Sequence, residues 1–334
     1  MEHRQIMTWR HVTNTNKSSP SKLFLPTMKI LIIDSHKGSL KEPQNLHWLN
    51  AKRIKDFLVQ CGHEVDLIWS YPTVNDEIKS GYDRIVFNHA SHYSYVDYAW
   101  LQASPEAKIF HITNEYNLGE PRALWMGVKE GRRYEVIANH EPKISKIVEK
   151  YINNWHFVNL NALIFNPQDV VAEQSGCIYY GSYRKGRESS FRKFLQGGVT
   201  ISTHQKNREK FSAIGVNGPF IDRINWSKDG LSAFYSSLYM EDDVNHSSYN
   251  CLANRFYEAL NYGVLTLFDR ECANTIAKSG YVIPDDCLVG NAQELQLKTS
   301  FQMPDLKASC LSTWKEKAAE EVKETLTIIK SIVE

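Results

Sequence analysis

Apolar strand-like runs alternate with amphipathic helical patterns along this chain, and the alternation starts afresh near Gly176. Two strands joined through a helix lie parallel in one sheet, because the crossover returns the chain to the same edge. Lys29–Asp34 reads as a fully buried strand. Asn45–Gln60 reads as a helix, with Leu46, Leu49, Ile54, Phe57 and Leu58 on one face and Gly62 as its stop. Further strands are predicted at Glu64–Trp69, Arg84–Asn88, Lys108–Thr113, Tyr134–Ala138 and Phe157–Leu160. After a turn at Asn166, Pro167 and Gln168, strands follow at Gly176–Tyr180, Val199–Thr203, Ser232–Tyr239 and Val264–Phe268. The 334 residues are enough for two separate cores. The expectation is therefore an α/β protein of two doubly wound parallel sheets. Ligands of such sheets bind beyond the carboxyl ends of the strands, and two such domains enclose a cleft.

Composition narrows the function classes. The formal net charge is +1, so no global field draws the chain onto nucleic acid and any such binding must be local. The six cysteines are scattered without a CxxC pair, which argues against a zinc site and a disulfide framework and fits a reducing cytoplasm. No apolar run has the length of a membrane span. Residues 1–27 are polar and lack the apolar core of a signal peptide, so they read as a flexible leader ahead of the strand that begins after Met28. Thr313–Glu334 reads as an amphipathic helix. Thr313 and Glu316 fit a capping box, and Trp314, Ala318, Val322, Leu326, Ile329 and Val333 form an apolar stripe that packs on the body.

Two segments of the second half carry chemistry. Ile178–Tyr180 is the end of a strand, followed by Gly181, Ser182, Tyr183, Arg184, Lys185, Gly186 and Arg187 and then a helix over Glu188–Gln196. Small residues let a backbone approach an anion, a helix N-terminus offers unpaired N–H groups, and guanidinium groups bind phosphates through two N–H donors. The pattern suits a diphosphate cradle, and it also suits a solvated turn. The second segment, Asn254–Leu260, is a helix that stops at Gly263 before a buried strand. Arg255 and Glu258 are three apart and share a face, so the carboxylate can accept from ribose hydroxyls while the arginine reaches a phosphate. An intrahelical ion pair is the other reading. The adjacent acids Asp242 and Asp243 read as a solvated turn rather than a metal motif.

Taken in this order, the Gly-Ser-x-Arg turn and the later Arg-x-x-Glu-Ala-Leu-x-x-Gly helix resemble the phage DNA β-glucosyltransferase family. Members transfer glucose from UDP-glucose to 5-hydroxymethylcytosine in viral DNA. The resemblance runs from Met28 to the C-terminus, with one residue fewer between the two loop arginines here. It implies a GT-B architecture, in which two Rossmann-like domains face each other across a cleft and a C-terminal helix crosses back to the first domain. The boundaries then fall at 1–27 for the leader, 28–166 for an acceptor domain, 167–312 for a UDP-sugar domain and 313–334 for the last helix. The resemblance assigns the donor to Gly181, Ser182, Arg184, Arg187, Arg255 and Glu258, with Tyr249 as the aromatic near the diphosphate.

The resemblance also implies an inverting reaction, a UDP-sugar donor helped by Mg2+ or Mn2+ at the diphosphate without a dedicated metal site, duplex DNA with modified bases as acceptor, and a monomer in the cytoplasm of an infected cell. The family has an aspartate directly after a threonine as its base, whereas this chain has Asn114 after Thr113. Glu115 is adjacent and can take the role with a shifted backbone, and His36 is a further candidate after the first strand. His89 and His92, after the third strand, are candidate acceptor contacts, and Arg122, Lys129, Arg132 and Arg133 form a basic stretch that can contact phosphates or, balanced by Glu130 and Glu135, form a solvated charged face. Three readings stay open: transfer to hydroxymethylated pyrimidines in DNA, transfer to another acceptor such as a polysaccharide, a lipid or a sugar already on DNA, and a binding protein that has lost its base.

Overall fold

The computed structural model describes residues 26–36, 46–70, 79–88, 95–113, 131–140, 146–169, 173–196, 198–224, 230–242 and 249–334. The first sheet is built from β1 (Lys29–His36), β2 (Glu64–Ser70), β3 (Arg84–Asn88), β4 (Lys108–Thr113), β5 (Tyr134–Ala138) and β6 (Ile152–Phe157). Helices α1 (Leu46–Gln60), α2 (Tyr95–Ala103) and α3 (Lys146–Glu149) lie between its strands. All its pairings are parallel, in the order β2-β1-β3-β4-β5-β6. The second sheet contains β7 (Ser175–Tyr180), β8 (Val199–Ser202), β9 (Phe220–Ile221), β10 (Phe234–Tyr239), β11 (Leu265–Asp269) and β12 (Leu288–Val289). Its helices are α4 (Glu188–Phe194), α5 (Gln205–Ala213), α6 (Asn254–Asn261), α7 (Ala273–Ser279) and α8 (Ala292–Ser300), and α9 (Pro304–Val333) closes the chain. The order β12-β11-β10-β7-β8-β9 is again parallel throughout. This is the doubly wound order in which β7 and β10 flank the point where the winding reverses.

Most strands fall where the apolar runs predict them, but the last strand of the first sheet does not. The run Phe157–Leu160 was expected to be a strand, and the strand is instead Ile152–Phe157. β6 is a sheet edge on which Asn153 and Asn154 face solvent, so its sequence looks polar. The apolar stretch Val158–Phe165 is buried because it joins the two sheets, mostly as a 3-10 turn over Leu160–Ile164. Helix α1 secures that link from the first domain. Asn50 Nδ2 donates to Leu160 O at 3.0 Å, and Arg53 Nη1 donates to the carbonyls of Leu163 and Phe165. From the second domain, Asn261 Nδ2 donates to Ile164 O at 3.0 Å.

Helix α9 starts at Pro304 rather than at Thr313, which corrects the capping-box reading. Thr313 is mid-helix and its hydroxyl donates to Ser309 O at 3.2 Å, while proline sits in the first turn, where a missing N–H costs nothing. The predicted stripe is buried as expected. The helix spans both domains: Trp314 Nε1 donates to Val282 O at 3.0 Å in the second, and Arg84 Nη2 donates to Glu334 O at 2.8 Å in the first. Among the described residues no helix is long and apolar enough to cross a membrane.

Candidate functional site

The carboxyl edge of the second sheet, at the β7/β10 reversal, gathers most of the residues singled out in the sequence. As β7 ends, Gly181 N donates to Ser202 O at 3.1 Å, and Thr203 Oγ1 donates back to Gly181 O at 2.8 Å, which pins the turn to β8. Ser182 and Arg184 follow on the surface. A short 3-10 turn over Lys185–Arg187 leads into α4, and it turns Arg187 inward, where the side chain is only 2% exposed. Its Nη2 donates to Glu241 Oε2, and its Nε lies 3.7 Å from Asp242 Oδ2. Gly186 packs against the acidic strand end, where an added Cβ would stand in ordinary contact with Asp242 Cβ at 3.4 Å.

Helix α6 brings Arg255 and Glu258 to the same place. Arg255 Nε lies 3.3 Å from Glu241 Oε1, Nη1 donates to Met240 O at 3.3 Å, and the guanidinium stands 5.9 and 6.0 Å from the rings of Tyr179 and Tyr239. Burial alone would lower the Arg255 pKa, but the facing Glu241 carboxylate and the neighbouring tyrosines hold it above the ordinary arginine value. Glu258 is buried and accepts from Asn254 Nδ2 at 2.7 Å. Desolvation pushes its pKa up to about 7, against the pull of Asn254, Arg255, Tyr180 and Arg223. Tyr180 completes this wall by donating to Arg255 O at 2.5 Å.

Tyr249 links the two domains. Its ring lies 4.2 Å from that of His140, tilted by 43°, and His140 follows the carboxyl end of β5 in the first sheet. Burial pushes the His140 pKa down to about 4, so its ring is neutral near pH 7. Beside it, Asn139 Nδ2 donates to Asn161 Oδ1 at 3.2 Å, and Asn161 Nδ2 donates to Leu252 O at 3.1 Å, just before α6. The carboxyl edge of the first sheet is thereby tied to the loop that opens α6.

Of the first-domain candidates, Asn114, Glu115, His89, His92 and Arg122 lie outside the described residues. His36 is the last residue of β1, and its side chain is likewise outside them. Arg132 and Arg133 lie away from the cleft, because they precede β5 and so sit at the amino edge of the sheet. Arg132 donates to the carbonyls of Leu101, Ser104 and Ala107 behind α2, and Arg133 donates to Lys150 O at 3.3 Å. Asp242 is no solvated turn but a partner of Arg187. Sequence reasoning missed Glu241, His140 and Arg223. All three lie just past the end of a strand, which was the available signal. Among the described residues no group of three or more His, Cys, Asp or Glu is placed to hold a metal ion.

No protein-family model matches the chain, and no curated protein sequence matches it. Solved structures do. The DNA-modifying enzyme β-glucosyltransferase, solved with and without uridine diphosphoglucose, superposes with a TM-score of 0.67 at 17% identity, covering 92% of this chain and 99% of that one. The T4 phage β-glucosyltransferase in complex with UDP and Mn2+ gives 0.63 at 16% identity, covering 92% and 100%. An α-glucosyltransferase bound to UDP and a 13-mer DNA gives 0.56 at 12% identity, covering 90% and 95%. The chain therefore has the GT-B fold of these glucosyltransferases over nearly its whole length.

Proposed function

We propose that this chain is a UDP-sugar-dependent glycosyltransferase that moves a sugar, glucose on the resemblance, to the hydroxymethyl group of a modified pyrimidine in phage DNA. The observation that carries the reading is the convergence of Arg187, Arg255 and Glu258 at the reversal point of the second sheet, with Arg184 on the rim. A ligand with a diphosphate, a ribose and a leaving sugar matches that set of groups. Residues 167–312 would hold the donor and 28–166 the acceptor. The structural neighbours with this fold bind UDP, UDP-glucose and DNA, which supports the same assignment of ligands.

In this mechanism the arginines stabilise the negative charge that builds on the departing UDP, and Glu258 accepts hydrogen bonds from the ribose. Glu115 removes the proton from the acceptor hydroxyl, whose oxygen attacks the anomeric carbon as the sugar–phosphate bond breaks, with inversion. A divalent ion would be held by the diphosphate oxygens, and it would add positive charge to the leaving group. A base inside a duplex must first leave the stack, so the acceptor domain would take a flipped nucleotide. The enzyme would act as a monomer in the cytoplasm of the infected cell.

One observation favours a second reading. Asn114 stands where the resembling family has its catalytic aspartate, which suits a nucleotide-sugar-binding protein without turnover. Transfer from a panel of UDP-sugars onto duplex DNA containing 5-hydroxymethylcytosine, read by mass spectrometry of the digested nucleosides, separates the two. A mass gain of one sugar supports the enzyme. UDP binding with no gain moves the acceptor elsewhere or leaves the binding protein. In the active case Glu115→Gln abolishes transfer and spares UDP binding, and full activity would exclude Glu115 as the base.

A further inference from the structure

Glu241 sits between two arginines that come from distant parts of the sequence. It follows β10 by two positions and its side chain is 3% exposed. One oxygen accepts from Arg187 Nη2 and the other faces Arg255 Nε at 3.3 Å. Asp242 adds a second carboxylate on the outer side of Arg187, at 3.7 Å and 17% exposed. Buried charges persist in a fold only when they are paired, and two guanidinium groups without an anion between them would repel each other. The sequence segments that carry them, the turn after β7 and the first turn of α6, have no other direct ion pair to each other among the described residues.

We propose that Glu241 is a positioning residue that ties Arg187 and Arg255 into one guanidinium–carboxylate–guanidinium clamp and so fixes both cations for the donor diphosphate. The proposal rests on the donor-site reading above and adds to it a residue that touches neither the substrate nor the reacting atoms. Glu241 accepts from Arg187 Nη2 and faces Arg255 Nε, and Arg255 Nη1 donates to Met240 O, so Arg187 Nη1 and Arg255 Nη2 are the terminal nitrogens that lie outside these contacts. A planar guanidinium held in this way loses little further freedom when it meets a phosphate. Asp242, packed against Gly186, braces the Arg187 end of the clamp.

The clamp and simple electrostatics predict opposite signs. Removing a carboxylate makes the site more positive, so charge alone would tighten binding of an anion. The same sign is expected if Glu241 merely occupied the phosphate position in the empty protein. A clamp predicts weaker binding despite the added positive charge. The test is calorimetric titration of UDP into the full-length protein and into E241Q, with thermal melting of both. E241Q is expected to bind UDP about tenfold more weakly, as suits the loss of one charge-assisted hydrogen bond and one ion pair. Where transfer is measurable, KM for the UDP-sugar should rise more than kcat falls.

Unchanged or tighter UDP binding by folded E241Q overturns the clamp. So does a lowered melting temperature with unaltered affinity, because that is the signature of a purely structural ion pair. Should E241Q not fold, E241D carries the test: it keeps the charge but withdraws it by one methylene, and it should bind UDP several-fold more weakly. Parent-like affinity in E241D would overturn the proposal equally. A parent protein that binds neither UDP nor pyrophosphate removes the donor-site reading itself, an outcome distinct from parent binding that is insensitive to Glu241.

Discussion

Burial pushes the Glu258 carboxyl up to about 7, which couples this residue to pH both in the empty protein and on binding. Its folded pKa is raised, so its contribution to stability is complete below the unfolded carboxylate value and is lost as pH rises through about 7. Ligand-free protein should therefore lose on the order of 3 kcal/mol more than Glu258→Gln between acid and neutral pH, at one pKa unit per 1.4 kcal/mol. Denaturant melts of both proteins across that range check the difference. A ribose that donates to the ionised carboxylate favours the deprotonated form, so UDP binding should release a proton near pH 7. Titrations in buffers of different ionisation enthalpy measure it, and Glu258→Ala should remove the release and weaken binding at least about tenfold. At the other edge of the first sheet, Arg132 and Arg133 are expected to separate. Arg132→Ala takes the guanidinium from the Ala107 carbonyl, while the Leu101 and Ser104 carbonyls keep the backbone N–H groups of Ser104 and Ala107, and it should cost about 1–3 kcal/mol of stability. Arg133→Ala, away from the cleft, should leave DNA affinity unchanged in a gel-shift titration.

Local elements were legible where the signal is local. Arg255 and Glu258 share a turn of α6, so their spacing alone placed them together, and β3, β4 and β5 fall at the residues their apolar runs predicted. The pairing of Arg187 with Glu241 was not legible, because it depends on β10 lying next to β7 while β8 and β9 lie on the far side. Sheet order is set by long-range packing, which no window of sequence reports. Position along a strand matters in the same way: Arg132 and Arg133 looked like a basic patch until the direction of β5 put them at the amino edge. Helix α9 shows the converse. Its stripe was readable, but its start was not, because Pro304 marks a first turn more firmly than Thr313 marks a cap. Trp314 on that stripe is 1% exposed and packs edge-on against Phe256 and Phe268. Trp314→Ala should cost about 3–5 kcal/mol by urea denaturation, and it should lower UDP affinity little in the protein that remains folded, since α9 contacts the back of α6.

At the scale of the molecule, the two sheets are not independent bodies. One continuous apolar cluster runs from Ile30 and Phe110 of the first sheet through Leu160–Phe165 to Tyr179, Phe268 and Trp314. Polar groups follow the same route. Glu321 of α9 accepts from the hydroxyls of Tyr257 and Tyr281, each at 2.8 Å, and from Asn159 Nδ2 at 3.3 Å in the link. Two domains that share a core and a crossing helix should unfold together, although each sheet has the topology of a domain that can fold alone. Calorimetry should therefore show one transition for the full chain. A ligand that binds only the folded state adds about 2.7 kcal/mol at a hundred times its Kd, so saturating UDP should raise that single transition by a few degrees. Two transitions, with UDP moving only the upper or only the lower one, would mean that the link and α9 do not couple the domains. The proposed donor site would then be a property of the second sheet alone, and the contact between His140 and Tyr249 would carry no energy between them.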